Sequence, residues 1–584
     1  MNPFYFYFLR GSLTLCLLLA LANSTRAQVP VFDQAGGCGV GTTPSSSRVN
    51  MVTADAQGNT YVVGQFNGSV RFGATTLTET GFNDAFVAKR DASGAWLWAS
   101  GGGGGESDQF TDVAVDAQGQ VYAVGSFAQG SRNVPVTATF GGFTITSAGY
   151  SDVLVAKLDG ATGAWLWVQQ AGFGNANDGR DFGRAVAPDG AGGVLVAGTF
   201  DGPALRVGAT VLQNVGRGTD LFVARLDAAT GAWGWAVSTG HGTVADLAAD
   251  AQGNAYLTGD FGSGIAFSAL FPLTQQSGSY IAKIDRLGNW QWARNLTATP
   301  GTGTFPGGAG FTYCAGLATD NAGHLYACGK FSGGTAAFGA TTLTNTSGTY
   351  WPGPSAPGTF QLGDAFVGRL DAATGGWQWA VRAGSGPDDE FLSQLAVRGN
   401  RVYAAGTFGR EPVTGTPSAA GSTFGTTALV STGNEDIVVV ALDTAGAPQW
   451  ALRAGGGYQD AVTGLVLDAN NRLHLAGTCG GAQFGPFTVT TLAYLARLSG
   501  APLAARPLAG QAPFALYPNP ARSTVTVEGL APGQPVQLLD ALGRRMAGGH
   551  MPSHGPLHLV LPPALPPGMY VVRNGSQAHR LLVE

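Results

Sequence analysis

The chain has 584 residues, 92 of them Gly, with 44% apolar side chains, 11% charged ones and a net charge of −5. So small a charged fraction beside so many apolar residues excludes a disordered polyelectrolyte, and glycine without a period of three excludes collagen. Its four lysines, Lys89, Lys157, Lys283 and Lys330, form no basic stripe for a phosphate backbone, so nucleic acid is not an expected partner.

At the N-terminus, Arg10, the apolar run Leu13 to Ala22 and the small residues Thr25 and Ala27 predict a secretory signal peptide over 1–27. No later stretch offers about 20 uninterrupted apolar residues, so no transmembrane segment is expected in the mature chain. Cys16 leaves with the signal. Cys38, Cys314, Cys328 and Cys479 remain in an oxidising setting, where three pairings are open. None of them forms C-x-x-C, and zinc is not expected.

From residue 28 to 500 one phrase recurs. "VAVDAQGQVYAVGSF" at 113–127 recurs in copies whose third-from-last residues are Gly64, Gly125, Gly198, Gly259, Gly329, Gly406 and Gly477. Each copy continues through an "FGATTL"-type hairpin, an alternating strand such as "DAFVAKRD" (84–91), and a Trp-x-Trp strand such as Trp96/Trp98. Period-two alternation, β-branched and aromatic enrichment, and Asp-x-x-Gly punctuation predict four antiparallel strands per copy. Seven four-stranded units at this spacing predict a seven-bladed β-propeller.

The seventh copy stops after "AYLARLSG" at Gly500, without its fourth strand. "PVFDQAGG" (30–37) aligns with "WLWASGGG" (96–103), placing Phe32 where Trp98 stands, so an N-terminal strand is expected to close the ring. Cys38 and Cys479 then share a blade and are disulfide candidates. Cys314 and Cys328 flank one hairpin and are the second candidate pair, provided their Cα atoms come within about 7 Å. In Trp-x-Trp both rings are expected on one face of the outer strand, filling the wedge between blades. The phrase G-G-x-x-x-D…V-D-x-x-G-N-x-Y-V-x-G resembles the bacterial seven-bladed propeller repeat called SBBP, a resemblance that implies architecture more than activity.

Chemistry-bearing motifs are scarce. H-E-x-x-H, a G-x-S-x-G elbow, a Walker loop and a dinucleotide fingerprint are all missing, and no cofactor or metal is expected. Before the innermost strands stand Asp108, Asp181, Asp389, Glu390 and Asp460, acidic candidates at one channel mouth, for which loop capping is the favoured role. The longest loops, 295–313 and 344–363, carry Phe305, Phe311, Tyr350, Trp351 and Phe360, aromatics suited to binding a glycan or a peptide.

After an Ala/Pro-rich linker at 501–512, alternating segments at 523–528, 535–540, 556–561, 569–573 and 579–583 predict a small Ig-like β-sandwich over 513–584. Tyr517-Pro518-Asn519-Pro520, the "LDALGR" segment with Gly543, and Gly568-Met569-Tyr570 make this region similar to the type A sorting domain of type IX secretion substrates. That resemblance implies the type IX machinery as a partner and a secreted or outer-surface location. The expected function is a non-catalytic binding or adhesion module whose ligand is a glycan or a protein. The alternative is an extracellular glycosidase or lyase, for which two carboxylates about 5–10 Å apart are needed.

Overall fold

The computed structural model describes residues 30–41, 46–130, 134–147, 149–173, 179–214, 218–262, 265–273, 277–301, 310–320, 322–350, 360–386, 388–409, 421–498, 515–530, 532–540, 545–563, 565–574 and 577–583. The predicted signal peptide and linker lie outside them. All regular structure in these residues is β, and no helix among them is long and apolar enough to cross a membrane. Two units separate, Met1–Ala501 and Pro502–Glu584.

Within the larger unit, seven sheets among the described residues share a four-stranded antiparallel meander. The first is Ser46–Ala54, Thr60–Asn67, Asp84–Arg90 and Trp96–Gly104. The first strands of the others are Ser107–Val115, Asp181–Pro188, Asp246–Ala249, Thr312–Thr319, Asp389–Arg398 and Ala461–Leu467. Each first strand neighbours the next in this order, and Ala461–Leu467 neighbours Ser46–Ala54 again. This is the arrangement of a β-propeller.

The recurring glycine has one physical cause. The first strand carries a bulge opposite it, as between Val49 and Met51, and the displaced carbonyl presses on the second strand. A Cβ on Gly64 would lie 1.8 Å from the Arg48 oxygen, and one on Gly406 1.8 Å from the Phe391 oxygen. Only glycine fits there. The Asp-x-x-Gly turns behave as expected, with Asp55 Oδ1 accepting the Gln57 and Asn59 amides at 2.9 Å and Gly58 at φ 82°.

A second bulge corrects the expectation for Trp-x-Trp. Arg90 pairs with Trp96 but Lys89 with Trp98, and this slip sends the two rings to opposite faces. Trp96 packs edge-on against Phe72 of its own hairpin, with ring centroids 5.0 Å apart, while Trp98 packs into the core shared with the second sheet. There its Nε1 donates to Gly160 O at 3.3 Å, beside Lys89 Nζ at 2.7 Å and the Tyr61 hydroxyl at 3.4 Å. The same three-donor latch returns on Ala372 O, from Trp292, Lys283 and Tyr256. All four lysines thus fasten one sheet to the next, since Lys157 reaches Ala228 O at 2.8 Å and Lys330 reaches Asp389 at 2.9 Å.

The N-terminal strand Phe32–Gly37 is the fourth strand of the last sheet, beside Ala493–Leu498. Its register differs from the sequence alignment by two residues. Phe32 pairs with Leu498 and Gln34 with Arg497, so Phe32 stands in the place of Trp96, not Trp98, and meets Phe484 edge-on at 5.3 Å. Arg497 clamps Asp33 with two bonds of 2.8 and 2.9 Å.

The structure joins neither expected cysteine pair: all four thiols are free and buried in it. A bulge between Cys314 and Gly316 puts Cys314 in the core facing the fourth sheet and Cys328 in the core facing the sixth. Cys38 and Cys479 are likewise divided between the two faces of the closing sheet.

In the smaller unit, Ala515–Tyr517, Thr524–Glu528 and Leu557–Val560 form one antiparallel sheet, and Arg545–His550, Pro535–Leu539, Gly568–Asn574 and Gln577–Val583 form another. Val525, Val527, Leu538, Val572 and Leu581 share one core between them. Ala515–Tyr517 and Arg545–His550 are strands the alternation did not reveal. Asn519 clasps the last strand, donating to Arg580 O at 2.8 Å and accepting from Leu582 N at 2.9 Å. The Tyr517 hydroxyl donates to Glu528, and that of Tyr570 to Pro566 O. Gly543 lies outside the described residues.

Candidate functional site

The acidic candidates occupy one repeated place, the junction where a third strand begins beside the next sheet's first strand. Asp108 N donates to Asn83 O, Asp181 N to Ser151 O, Glu390 N to Gly363 O and Asp460 N to Glu435 O. The neighbouring third strands carry Asp84, Asp152, Asp364 and Asp436 at or next to their first residue, so four junctions carry an acid from each side. These acids are buried, and Asp84, Asp108, Asp364, Asp436 and Asp460 cap backbone amides. Asp108 accepts from Gly104 N at 2.7 Å and Ala128 N at 2.9 Å, and Asp460 from Gly456 N at 2.7 Å. A Cβ on Gly103 would touch both Asp84 and Asp108, which shows how tightly the glycine closes over the pair.

Burial first, then like charge, pushes these carboxyls up: Asp108 to about 7, with Asp84 contributing, and Glu390 to about 9, with Asp364, Asp389 and Asp388 contributing. Glu390 Oε1 accepts from the Ser422 hydroxyl. Asp389 is the exception, bonded by Lys330 Nζ at 2.9 Å and Gly363 N at 2.7 Å. The set works as junction filling rather than as an open channel mouth.

The junctions of the fourth sheet lack the acid pair, and there the surface opens. Between the fourth and fifth sheets Gly278 and Thr312 stand where the acids stand elsewhere, and a cavity of about 440 Å3 lies between Asp260, Ser277, Thr297, Phe311, Thr312 and Tyr313. Between the third and fourth sheets, where Gly242 faces Asp220, a cavity of about 350 Å3 is lined by Thr219, His241, Thr243, Asp260 and Phe261. Both volumes suit a small-molecule site. Asp260 and Phe261 line both, making the end of Ala255–Gly262 a partition between two adjoining hollows.

Asp260 is the charged group of this double cleft. Its Oδ1 accepts from the Ser279 hydroxyl at 2.7 Å. Its Oδ2 has no hydrogen-bond partner among the described residues, and no cation pairs with it there. Burial raises its pKa to about 6. Phe311, 45% exposed, is the accessible ring. Lys330 Nζ sits 5.8 Å from its centroid, its charge taken up by Asp389. Of these two lining residues, the sequence singled out Phe311 and not Asp260. The usable signal was the residue between glycine and aromatic in the repeated phrase: Gln65, Ser126, Thr199, Thr407 and Thr478 in five copies, but Asp260 and Lys330 in two adjacent ones.

Of the other aromatic candidates, Phe305 and Trp351 lie outside the described residues. Tyr350 and Phe360 are partners in a two-residue ladder, Thr349–Tyr350 with Phe360–Gln361. A larger hollow of about 610 Å3 opens at the other strand ends, between the second and third sheets. It exists because Gly190, Gly192 and Gly193 bring no side chains, and its polar lining is already engaged: Asp116 by the Gln118 and Gln120 amides and the Tyr122 hydroxyl, Lys157 by Ala228 O.

Fold and cleft together define a β-propeller with an aromatic-edged hollow, holding the Asp260 carboxylate, at its fourth sheet. No protein-family model matches the sequence, and no curated protein does. Among solved structures the chain is similar to a quinohemoprotein alcohol dehydrogenase from Comamonas testosteroni, at 11% identity over 78% of this chain and 76% of that one, TM-score 0.34. It is also similar to the WD40 repeats of RRP9, at 8% identity over 81% and 99%, TM-score 0.39. BamB from Moraxella catarrhalis gives 15% identity over 79% and 100%, TM-score 0.33.

Proposed function

We propose that this chain is a secreted or cell-surface seven-bladed β-propeller, spanning 28–500 and closed by its N-terminal strand, that works as a non-catalytic binding module. Its ligand, a glycan or a protein, is held at the fourth and fifth blades. The observation that carries this reading is the pair of open junctions around Asp260, in a ring whose other described acid junctions are packed shut. The Ig-like unit at 513–584 is read as a type A sorting domain that hands the chain to the type IX secretion machinery, after a signal peptide at 1–27 directs it into the export route. The clasp of Asn519 on the last strand supports a structural reason for the Tyr517-Pro518-Asn519-Pro520 motif.

The polysaccharide-cleaving alternative is not favoured, because the described cleft brings one carboxylate, Asp260, into an open hollow, whereas the acid pairs are buried. The test is a solid-phase screen of the purified protein against immobilised polysaccharides and outer-surface proteins, with turnover measured alongside. Saturable binding without product release is expected. Product release, or no retention by any surface, overturns the reading. Deletion of 513–584 in the producing cell is expected to leave the chain in the periplasm.

A further inference from the structure

We infer that the cleft at the fourth and fifth sheets is a saccharide site for neutral sugars, in which Asp260 accepts two vicinal hydroxyls and Phe311 stacks on the pyranose face. It rests on the reading of this chain as a binding module and goes further by naming the site and the ligand chemistry.

Three features converge on that ligand. First, Asp260 is a half-buried carboxylate with one oxygen tied to Ser279 and the other without a hydrogen-bond partner among the described residues. A carboxylate oxygen in a partly dry hollow needs a donor, and neighbouring sugar hydroxyls supply two at once. Second, Phe311 presents an exposed apolar ring at the rim of the same hollow, which suits the C–H face of a pyranose. Third, the lining adds the hydroxyls of Ser277 and Thr297 beside the apolar Phe261, Leu296 and Ala298, the mix of polar and C–H surface that a sugar presents.

Charge decides among the sugars. The carboxylate of Asp260 repels uronates and sulfated sugars. The ammonium of Lys330, paired with Asp389, already takes the cation–π place on Phe311, so stacking there gives a cationic sugar no gain over a neutral one, and its attraction to Asp260 is what the glucosamine probe measures. The hollow of about 440 Å3 suits a saccharide chain end or a short internal segment, and the adjoining one of about 350 Å3 offers room for the next unit past Asp260.

The test uses the full mature chain and isothermal titration with four probes: manno- and cello-oligosaccharide hexamers as neutral sugars, polygalacturonate as an anionic one, and a glucosamine hexamer as a cationic one. The expected result is saturable binding of at least one neutral hexamer. Asp260→Ala and Phe311→Ala each weaken it at least tenfold, while circular dichroism melts stay cooperative. Phe311 is exposed, so its variant tests the site even where Asp260→Ala perturbs folding. Neutral-sugar binding that survives both substitutions overturns this site and leaves the binding-module reading standing. Tighter binding of polygalacturonate or of the glucosamine hexamer overturns the neutral class. Failure of all four probes overturns the saccharide assignment, and the binding-module reading falls with it only if the surface screen is also blank.

Discussion

Replacing Glu390 by Gln is expected to flatten the dependence of stability on pH. In the folded chain Glu390 is fully buried, with Asp364, Asp388 and Asp389 around it and the Ser422 hydroxyl on Oε1, and its pKa stands at about 9 against an ordinary 4.5. A carboxyl raised on folding binds a proton that the unfolded chain releases above its ordinary pKa. Its stabilisation is therefore complete below about pH 4.5 and is lost as pH rises through the folded value. At about 1.4 kcal/mol per unit, this one group removes roughly 4 kcal/mol of stability between about pH 5 and pH 8. Gln has the same shape, carries no charge at any pH and can still accept from Ser422. Urea unfolding of both proteins at about pH 5, 6.5 and 8 reads the effect directly. The expected pattern is a wild-type stability that falls across the series and a Glu390→Gln slope shallower by a few kcal/mol, with the variant the more stable protein at pH 8. Parallel slopes for the two proteins would refute the protonated, buried state of Glu390.

Phe32→Ala removes the ring that meets Phe484 edge-on in the closing sheet and is expected to cost about 3–5 kcal/mol, measured by chemical denaturation; a loss below about 1 kcal/mol means the strand does not dock as described. Ellman's reagent is expected to find Cys38, Cys314, Cys328 and Cys479 unreactive in the native protein and titratable as free thiols after unfolding, since all four are buried and burial pushes the Cys314 thiol up to about 12; a shortfall that reductant restores would show a disulfide. Saccharide affinity at the fourth-sheet cleft is expected to rise between about pH 5 and pH 7, as Asp260 ionises through about 6, and to lose that rise in Asp260→Asn; a flat profile in the wild type removes the carboxylate from binding.

What was legible in the sequence follows from local rules, and what was not follows from bulges. Strand alternation, turn glycines at positive φ and the Asp that caps each turn depend on a few adjacent residues, so the repeat, its four strands and the N-terminal closing strand could be read directly. A bulge adds one residue to one strand and reverses every side chain beyond it, and pairing across the sheet decides where it falls. That single cause moved Trp96 and Trp98 to opposite faces and put Cys314 and Cys328 in different cores. The candidate site was half legible for a related reason. Aromatics in long loops announce themselves, whereas Asp260 is informative only beside the Gln, Ser and Thr at its equivalent positions.

The same junction position explains both the closed and the open parts of the ring. A carboxyl there is short enough to lie between two sheets and can accept two backbone amides, as Asp108 does with Gly104 and Ala128, so it fills the gap and removes orphaned donors together. Substituting Gly278 and Thr312 leaves less volume in the gap and fewer acceptors, and the space becomes a hollow. The neighbouring second strand then exposes the side chain that in five other copies is a neutral hydroxyl or amide, and here that side chain is Asp260. An ordinary variation within a repeat, two acids lost from the junction and one gained on the adjoining second strand, turns a packing position into a pocket that holds a carboxylate, without changing the backbone pattern around it.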